Sequence, residues 1–361
     1  MKKVLILGFA KIAYMPYLNF YLEALNGHAE IHVVTWQRDH TPDQILSPDI
    51  VLHPFRKEQT DESGKLSKLG NFARYRIFVR SLLKQQKFDR IIVLHTLPGV
   101  LLADTLCKEY HNLFIFDYRD YTYEGFSPFR RIVCKLVRSS FSTFVSSDAF
   151  RPVLPKLEKV YTSHNLLTDS LNHREVRSTL PRPHAPIRIA FWGFIRHETL
   201  NRRLIELLGG DARFELHYYG REQQTAENLK ALVEERHYSN VFFHGAYLPE
   251  DRYAFAAQTD LIHNMYENSA TMQKAIANKY YDGVIFRIPQ LCTKDSYMGE
   301  RVTEEQTGLA LDLSVPDTAE QIVRYYSNLD WSNFEQNCDC AVNRVVDEYN
   351  GGIERITALL S

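Results

Sequence analysis

The sequence predicts an α/β protein with two doubly wound parallel sheets. Short apolar runs alternate with helical patterns through residues 4–164, and the same alternation restarts at residue 187. Residues 171–186 contain three prolines and no apolar period, a composition typical of a linker. Buried strands that alternate with helices favour parallel sheets covered on both faces. At 361 residues the chain is long enough for two such domains.

The first half contains seven predicted strands and four predicted helices. The strands are expected at residues 4–7, 30–36, 50–53, 90–95, 113–117, 143–147 and 160–164, and the helices at 16–25, 71–87, 99–110 and 129–141. Ligands of parallel sheets bind at the carboxyl ends of the strands. Lys11, His95 and Asp120 lie at or shortly after the carboxyl ends of predicted strands, so their position alone makes them site candidates, with Asp117 as the alternative to Asp120.

The second half repeats this arrangement without repeating the sequence. Its strands are expected at residues 187–192, 214–219, 241–243, 261–263 and 290–292, and its helices at 200–208, 225–234, 250–257, near 278, and from 318 onward. We therefore predict one domain over residues 1–170, a linker over 171–186 and a second domain over 187–335. Helices in residues 336–361 are expected to cross back to the first domain.

Charge and cysteine content limit the possible functions. Residues 1–180 hold 25 basic and 18 acidic side chains, a net charge of +7, and the rest of the chain carries −8. The first half therefore suits an anionic partner, but a neutral whole chain without a known motif argues against nucleic-acid binding. No run approaches the ~20 apolar residues of a spanning helix. Five scattered cysteines indicate reduced thiols and a cytoplasmic protein without a zinc site.

Residues 277–289 contain the strongest candidate site. A helix that begins near Asn278 and Lys279 would present free N–H groups and a favourable dipole to a phosphate. Asp282, three residues after Lys279, would face the same side and could accept hydrogen bonds from a ribose diol. The alternative is an ordinary amphipathic helix with a solvated Lys–Asp pair.

Six short segments of the second half resemble landmarks of the GT-B glycosyltransferases, in the order found in that family. They are residues 189–196, ending Gly193-Phe-Ile-Arg196; 216–220, ending in Gly220; 240–245, ending in Gly245; 259–262; 278–282 with Pro289; and 305–312. The similarity is to family 4-like retaining enzymes that build bacterial capsule or lipopolysaccharide. It implies two Rossmann-like domains that face a cleft.

The resemblance also implies a reaction and a donor site. The enzyme would move a sugar from a nucleotide-sugar, most simply a UDP-sugar, to a saccharide or lipid-linked acceptor. Arg196, beside Gly193, and Lys279 would bind the diphosphate, Asp282 the ribose and Asn278 would position the donor; Tyr266 would touch base or sugar. Fixed cations can stabilise the departing diphosphate without a metal or another cofactor, and the sequence lacks an Asp-x-Asp pair.

In the same family the first domain binds the acceptor. His95 would lie near the acceptor or the donor sugar, and Asp120 would act as a base toward the acceptor hydroxyl. Lys11 would touch a phosphate or the acceptor. The helix expected at 129–141 has an apolar stripe opposite a basic face, which is typical of interfacial helices and equally of a helix that packs on a sheet. The basic residues that would face the membrane are Arg130, Arg131, Lys135 and Arg138. They would place the protein peripherally on the inner face of the plasma membrane.

Two positions depart from the family pattern and keep two alternatives open. Lys274 stands where the family has an acid that contacts the donor sugar, and Arg287 replaces a glycine. One alternative is a UDP-sugar 2-epimerase on the same fold, which would use Asp117, Asp120 and His95. The other is a non-catalytic module that binds nucleotide or sugar.

Overall fold

A computed structural model describes residues 1–41, 43, 46–59, 64–176 and 186–361. Contacts divide the chain into a first unit, residues 1–165 with 346–361, and a second unit, residues 166–345. Each unit holds one parallel sheet with flanking helices, which confirms the predicted fold class. Most of the predicted linker, residues 177–185, lies outside the described ranges. The described residues before it, Thr168–Val176, form 3₁₀ turns.

The first unit contains a seven-stranded sheet with the order β3-β2-β1-β4-β5-β6-β7. Its elements are β1 (Lys2–Leu7), α1 (Leu18–Leu25), β2 (Ala29–Gln37), β3 (Ile50–Arg56), α2 (Lys65–Gln85), β4 (Arg90–Leu94), α3 (Thr96–Leu101), α4 (Ala103–Glu109), β5 (Phe114–Tyr118), α5 (Ser127–Ser139), β6 (Ser142–Val145) and β7 (Val160–Thr162). The strand order reverses direction between β1 and β4. The carboxyl ends of these two strands therefore flank the crevice where such sheets bind ligands.

The second unit contains a six-stranded sheet with the order β10-β9-β8-β11-β12-β13. Its elements are α6 (Glu198–Leu208), α7 (Gln224–Glu235), α8 (Arg252–Ala256), α9 (Asn278–Ile285), α10 (Tyr297–Glu304), α11 (Thr318–Ser327), β8 (Ile187–Trp192), β9 (Phe214–Tyr219), β10 (Val241–Phe243), β11 (Leu261–Asn264), β12 (Gln290–Thr293) and β13 (Gly308–Leu311). Here the order reverses between β8 and β11. The last helix, α12 (Trp331–Ala358), begins in this unit and ends in the first.

Two elements, α10 and β13, were not predicted, and two helices differ from their predicted bounds by more than two residues. The helix predicted over 99–110 is two helices, α3 and α4, because the fully buried Leu102 between them has a non-helical backbone (φ −111°, ψ 12°). The helix predicted from residue 71 begins six residues earlier, at Lys65. Within the described part of the chain, no helix combines the length and the apolar character needed to cross a bilayer.

The last residues of the chain complete the first unit. The Lys2 ammonium donates to the Ser361 carbonyl at 2.7 Å, and Arg90 Nε donates to the Leu359 carbonyl at 2.5 Å. The Tyr349 hydroxyl donates to Glu23 at 2.6 Å. Residues 346–361 therefore cover the α1 side of the first sheet.

A hydrogen-bonded row of four polar side chains runs across three strands of the first sheet. Lys3 on β1 pairs with Glu30 on β2 at 3.0 Å, and Glu30 accepts a hydrogen bond from His32 Nε2 at 2.9 Å. His32 Nδ1 lies 2.8 Å from Nε2 of His53 on β3. A cation, a carboxylate and two imidazoles thus span three neighbouring strands.

The second sheet has a matching row of a cation, a carboxylate and two imidazoles at the corresponding strands. Arg188 on β8 pairs with Glu215 on β9 at 3.0 Å, and Glu215 lies 3.3 Å from His217 Nε2. His217 Nδ1 lies 3.0 Å from Nε2 of His244, just after β10. The two units therefore share a polar arrangement that their sequences do not reveal.

Buried histidines in both units are expected to make the fold less stable in acid. Burial lowers the pKa of His53, His217 and His244, and it lowers the pKa of the fully buried His263 on β11 to about 3. A folded-state pKa below the unfolded value makes the neutral form the stabilising one. The contribution of these histidines to the free energy of unfolding is therefore full above about pH 6.5 and is lost as the pH falls. The loss is about 1.4 kcal/mol per pH unit for His263 alone.

Urea unfolding at pH 7.5 and pH 5.0 measures this loss. We expect a lower midpoint at pH 5.0 with an unchanged slope, and a smaller difference in His263→Gln. Equal midpoints at the two pH values would contradict the prediction.

Candidate functional site

One cavity in the second unit brings together all the residues that the sequence analysis assigned to the donor. The cavity has a volume of 360 Å³ and lies at the carboxyl ends of β8 and β11, where the strand order reverses. Its lining includes Gly193, Arg196, Tyr266, Asn278, Lys279 and Asp282. The topology places these residues together, because the loop after β8 and the start of α9 meet at this edge.

Glycines at three strand ends form the backbone beside this cavity. Gly193 has φ +126°, which few other residues adopt. A Cβ on Gly220 would lie only 1.7 Å from the Gly193 carbonyl oxygen, so no side chain fits there. Gly193 N–H donates to the Tyr219 carbonyl at 3.0 Å, and Gly220 N–H donates to the Gly245 carbonyl at 2.7 Å. The three glycine landmarks of the sequence are thus adjacent in space.

Lys279 is buried, contrary to the alternative of a solvated helix charge. Its ammonium donates to the Tyr266 hydroxyl at 2.6 Å and to the Trp192 carbonyl at 3.2 Å, and it lies 4.1 Å from the Phe191 ring centroid. Burial lowers the pKa of Lys279 to about 7, a shift opposed by Asp282 and reinforced by Arg196. An anion in the cavity would favour the charged form of this lysine.

Asp282 is also buried, so the alternative of a solvated Lys–Asp pair is wrong. Its carboxylate accepts a hydrogen bond from Trp192 Nε1 at 2.8 Å and lies 3.6 Å from the Arg252 guanidinium. Burial raises the pKa of Asp282, although Arg252 and the Trp192 hydrogen bond act in the opposite direction. Trp192 and Arg252 both line the cavity, and the sequence analysis assigned neither to the site.

Among the residues assigned to the donor, Arg196 and Asn278 are exposed. The Arg196 guanidinium lies 5.1 Å from the ring centroid of Phe194, and both residues line the cavity. Asn278 begins α9, and the residue before it, Ala277, has no side chain that could cap the helix. The first N–H groups of an α-helix lack intrahelical partners. Arg196 and the start of α9 therefore supply positive potential beside Lys279.

A buried pair holds the loop that carries Arg196. The Asn201 side-chain amide donates to the carbonyls of Arg196 at 2.6 Å and His197 at 3.0 Å. Its oxygen lies 2.8 Å from Nε2 of His263. Burial lowers the pKa of His263 to about 3, so this imidazole is neutral at pH 7. Its Nδ1 accepts from Met265 N–H at 3.3 Å, so Nε2 carries the proton and donates to Asn201. Asn201 thus fixes the loop backbone, a role that its position after Arg196 did not suggest.

In the first unit, His95 and Asp120 form a hydrogen-bonded pair. His95 Nδ1 lies 3.0 Å from the Asp120 carboxylate, and His95 Nε2 is hydrogen-bonded to the Tyr17 hydroxyl. Burial would raise the pKa of Asp120, but the hydrogen bond from His95 and the nearby Arg119 hold it below its usual value. His95 has φ 76° and ψ 158°, a backbone conformation that is rare outside glycine and concentrates at functional sites.

Asp117, the alternative to Asp120, is fully buried in an ion pair. Its carboxylate accepts from Arg119 Nε at 2.7 Å. The other guanidinium nitrogens donate to Asn165 at 2.6 Å and Ser163 at 2.9 Å. Asp117 therefore neutralises a buried cation, which leaves Asp120, with a half-exposed side chain, as the carboxylate that solutes can reach.

Lys11 and the basic helix differ from their expected surroundings. Lys11 is 3% exposed, and its ammonium is bound to Asp39 and donates to the Thr41 carbonyl at 2.8 Å. It is therefore already neutralised. The apolar stripe of α5, which includes Val133 and Leu136, packs into the core of the first unit. The idea that this stripe enters a membrane is thus wrong. The basic face of α5 remains exposed, with Arg130, Arg131, Lys135 and Arg138.

Comparison with solved structures identifies the fold as GT-B. The chain is similar to sucrose-phosphate synthase from Thermosynechococcus elongatus, with 14% identity, coverage of 100% of this chain and 95% of that one, and a TM-score of 0.69. HepE from Anabaena, solved in complex with UDP, has 14% identity, coverage of 97% and 98%, and a TM-score of 0.68. UDP-N-acetylglucosamine 2-epimerase from Rickettsia bellii has 12% identity, coverage of 96% and 96%, and a TM-score of 0.58. No family model and no curated protein matches the chain.

Proposed function

We propose that the protein is a glycosyltransferase that takes a sugar from a UDP-linked donor. The observation that carries the proposal is the convergence of Arg196, Arg252 and Lys279 with the start of α9 on one cavity. Three cations and a helix N-terminus suit a diphosphate. The similarity to HepE, whose structure contains UDP, supports the choice of nucleotide.

The residues around the cavity suggest how the donor is held. Lys279 and Arg196 would bind the diphosphate and stabilise the charge that develops as the glycosyl bond breaks, a type of contact worth several kcal/mol. Asn278 would position the phosphate at the start of α9. Asp282 would accept from the ribose, with Trp192 fixing its carboxylate. Tyr266, hydrogen-bonded to Lys279, would orient that ammonium beside base or sugar. These cations would replace a metal ion.

The first unit supplies the residues that we assign to the acceptor. The His95–Asp120 pair would bind the acceptor hydroxyl, and the +7 charge of residues 1–180 suits an acceptor joined to lipid through phosphate. We infer that the acceptor is a saccharide or lipid-linked saccharide of a bacterial surface polysaccharide. Transfer would retain configuration, as in the enzymes that the motifs resemble, with the reaction in the cytoplasm.

Incubation with single nucleotide-sugars tests the proposal. We expect only UDP-sugars to raise the unfolding temperature, UDP release to accelerate with an oligosaccharide acceptor, and EDTA to leave the rate unchanged. NMR of the product anomeric proton then gives the stereochemistry, and an inverted product would instead make His95 a general base.

Three results would overturn or replace the proposed function. If no nucleotide binds, the cavity is not a donor site. If the sugar of UDP-N-acetylglucosamine is epimerised without an acceptor, the protein is an epimerase, as its similarity to the Rickettsia bellii structure allows. If UDP-sugars bind without hydrolysis or transfer across the acceptor panel, the protein is a binding module.

A further inference from the structure

Tyr17 contacts the His95–Asp120 pair from a third loop of the first unit. It ends the segment that joins β1 to α1, and its hydroxyl is hydrogen-bonded to Nε2 of His95. Tyr17 is 7% exposed, and its ring meets the imidazole at 81° with 5.1 Å between the ring centroids. The loops after β1, β4 and β5 can meet in this way because the three strands are neighbours in the sheet.

Two further contacts fix the members of this group. The Arg119 guanidinium lies 4.1 Å from the centroid of the Tyr17 ring. The Thr96 hydroxyl donates to the backbone carbonyl of Asp120 at 3.1 Å, which holds the loop after β5 against the start of α3. Tyr17 and Asp120 are therefore each held by a contact other than His95.

The partners of His95 determine which of its ring nitrogens carries the proton. An ionised carboxylate only accepts hydrogen bonds, so Nδ1 of His95 donates to Asp120 at 3.0 Å. In the neutral imidazole Nε2 is then the acceptor, and the Tyr17 hydroxyl donates to it. Burial raises the pKa of Tyr17, although Arg119 acts in the opposite direction, so the hydroxyl keeps its proton at neutral pH.

An imidazole in this state has no free basic nitrogen. Nδ1 carries the proton, and the lone pair of Nε2 is taken by Tyr17, so His95 does not accept a proton from a substrate hydroxyl while both bonds hold. The Asp120 carboxylate has lone pairs beyond the one that His95 uses, and its side chain is 48% exposed. Of the three groups, Asp120 is therefore the one that can accept a hydrogen bond from an acceptor.

We propose that Tyr17 is a positioning residue that orients His95 and occupies its Nε2 lone pair, so that Asp120 rather than His95 binds the acceptor hydroxyl. His95 then acts through Asp120, which it orients and keeps ionised. The inference rests on the proposed function for the acceptor, but the protonation state of the imidazole does not depend on transfer.

Nitrogen-15 NMR of the full chain, labelled in histidine, tests the state of His95. Spectra are recorded at pH 8.5, where a histidine of ordinary pKa is neutral, and His95→Gln assigns the signals. We expect the shifts of a protonated Nδ1 and an unprotonated Nε2. In Tyr17→Phe the Nε2 signal should move toward that of a lone pair without a hydrogen bond, while Nδ1 stays protonated. The matched control is Tyr110→Phe, after α4, which should leave both signals unchanged.

Kinetics separate positioning from support of the fold. Tyr17→Phe keeps the ring that packs on Arg119, so thermal unfolding should change little. The kcat for transfer should fall about tenfold, the effect of one lost neutral hydrogen bond, while the Kd for UDP stays within about twofold. Tyr110→Phe should match the unchanged chain in both measurements.

Three results would overturn the inference. A protonated Nε2 in the unchanged chain would show that Asp120 does not set the tautomer. An Nε2 signal that is the same in Tyr17→Phe would show that Tyr17 does not bind this nitrogen. Equal losses of transfer and of UDP affinity in Tyr17→Phe would leave Tyr17 a purely structural role. The expected spectra in a protein that transfers to no acceptor would contradict the proposed function and confirm the state of His95, so the two failures are distinguishable.

Discussion

Replacing Lys279 by methionine is expected to lower kcat/KM for the nucleotide-sugar by about two to three orders of magnitude, the effect of removing one well-placed charged contact to a developing anion. Methionine preserves an apolar stem of similar length in a site where Lys279 is 6% exposed. The fold should therefore survive the substitution, which thermal unfolding would show. The comparison variant is Lys294→Met, an exposed lysine just after β12 that does not line the cavity.

The pH dependence of binding gives this prediction a second measurement. In the empty cavity the pKa of Lys279 is about 7, and a bound diphosphate would raise that pKa. Affinity should therefore be full below pH 7 and fall up to about tenfold per unit above it, with uptake of a proton on binding. Calorimetry in buffers of different ionisation enthalpy measures that proton. If the affinity of Lys279→Met depends on pH in the same way, Lys279 does not bind the diphosphate.

Replacing Arg119 by methionine is expected to destabilise the first unit by about 3–5 kcal/mol, because the substitution leaves the carboxylate of Asp117 buried without its cation. Both side chains are almost completely buried, with exposed fractions of 4% and 0%. The guanidinium also holds Asn165 and Ser163, whose hydrogen bonds would be lost. Urea unfolding monitored by circular dichroism gives the free energy of unfolding.

A surface ion pair provides the contrast for Arg119. Arg213 pairs with Asp211 at 2.7 Å, but its side chain is 44% exposed, so Arg213→Met should change stability by less than about 1 kcal/mol. The double variant Arg119→Met/Asp117→Asn should recover part of the loss, since it removes the unpaired charge. If Arg119→Met is as stable as Arg213→Met, the buried pair does not support the fold.

Local patterns were sufficient to predict both sheets, except for the strand β13, and the position of the cavity. Apolar runs that end in glycine or a polar residue marked β1, β4, β8 and β11, and the topology then brought Gly193, Lys279 and Asp282 to one edge. Motif order along the chain carries this information because parallel strands meet at a common edge. The fold and the grouping of these residues were therefore accessible from the sequence.

Side-chain contacts between residues distant in the sequence could not be predicted. Trp192 lies 90 residues before the carboxylate that it binds, and Arg252 comes from the short helix α8, which lacks a diagnostic pattern. The exposed apolar side of α2, with Leu66, Leu69 and Ile77, was hidden for a different reason. Apolar residues on both faces of a helix weaken the periodicity that reveals an amphipathic helix. Lys11 lies after the carboxyl end of a strand, as expected of a site residue, but it forms an ion pair with Asp39. No local pattern in the sequence indicated that pair.

The discontinuity of the first unit has a consequence for the order of folding during synthesis. Residues 346–361 belong to this unit, and Arg90 and Glu23 bind Leu359 and Tyr349. A ribosome makes residues 166–345 before it makes that segment, so the second unit can fold while the first still lacks its last piece. A nascent chain stopped near residue 345 should therefore hold a protease-resistant second unit beside an open first one. The part of the chain made first would be the last to become stable.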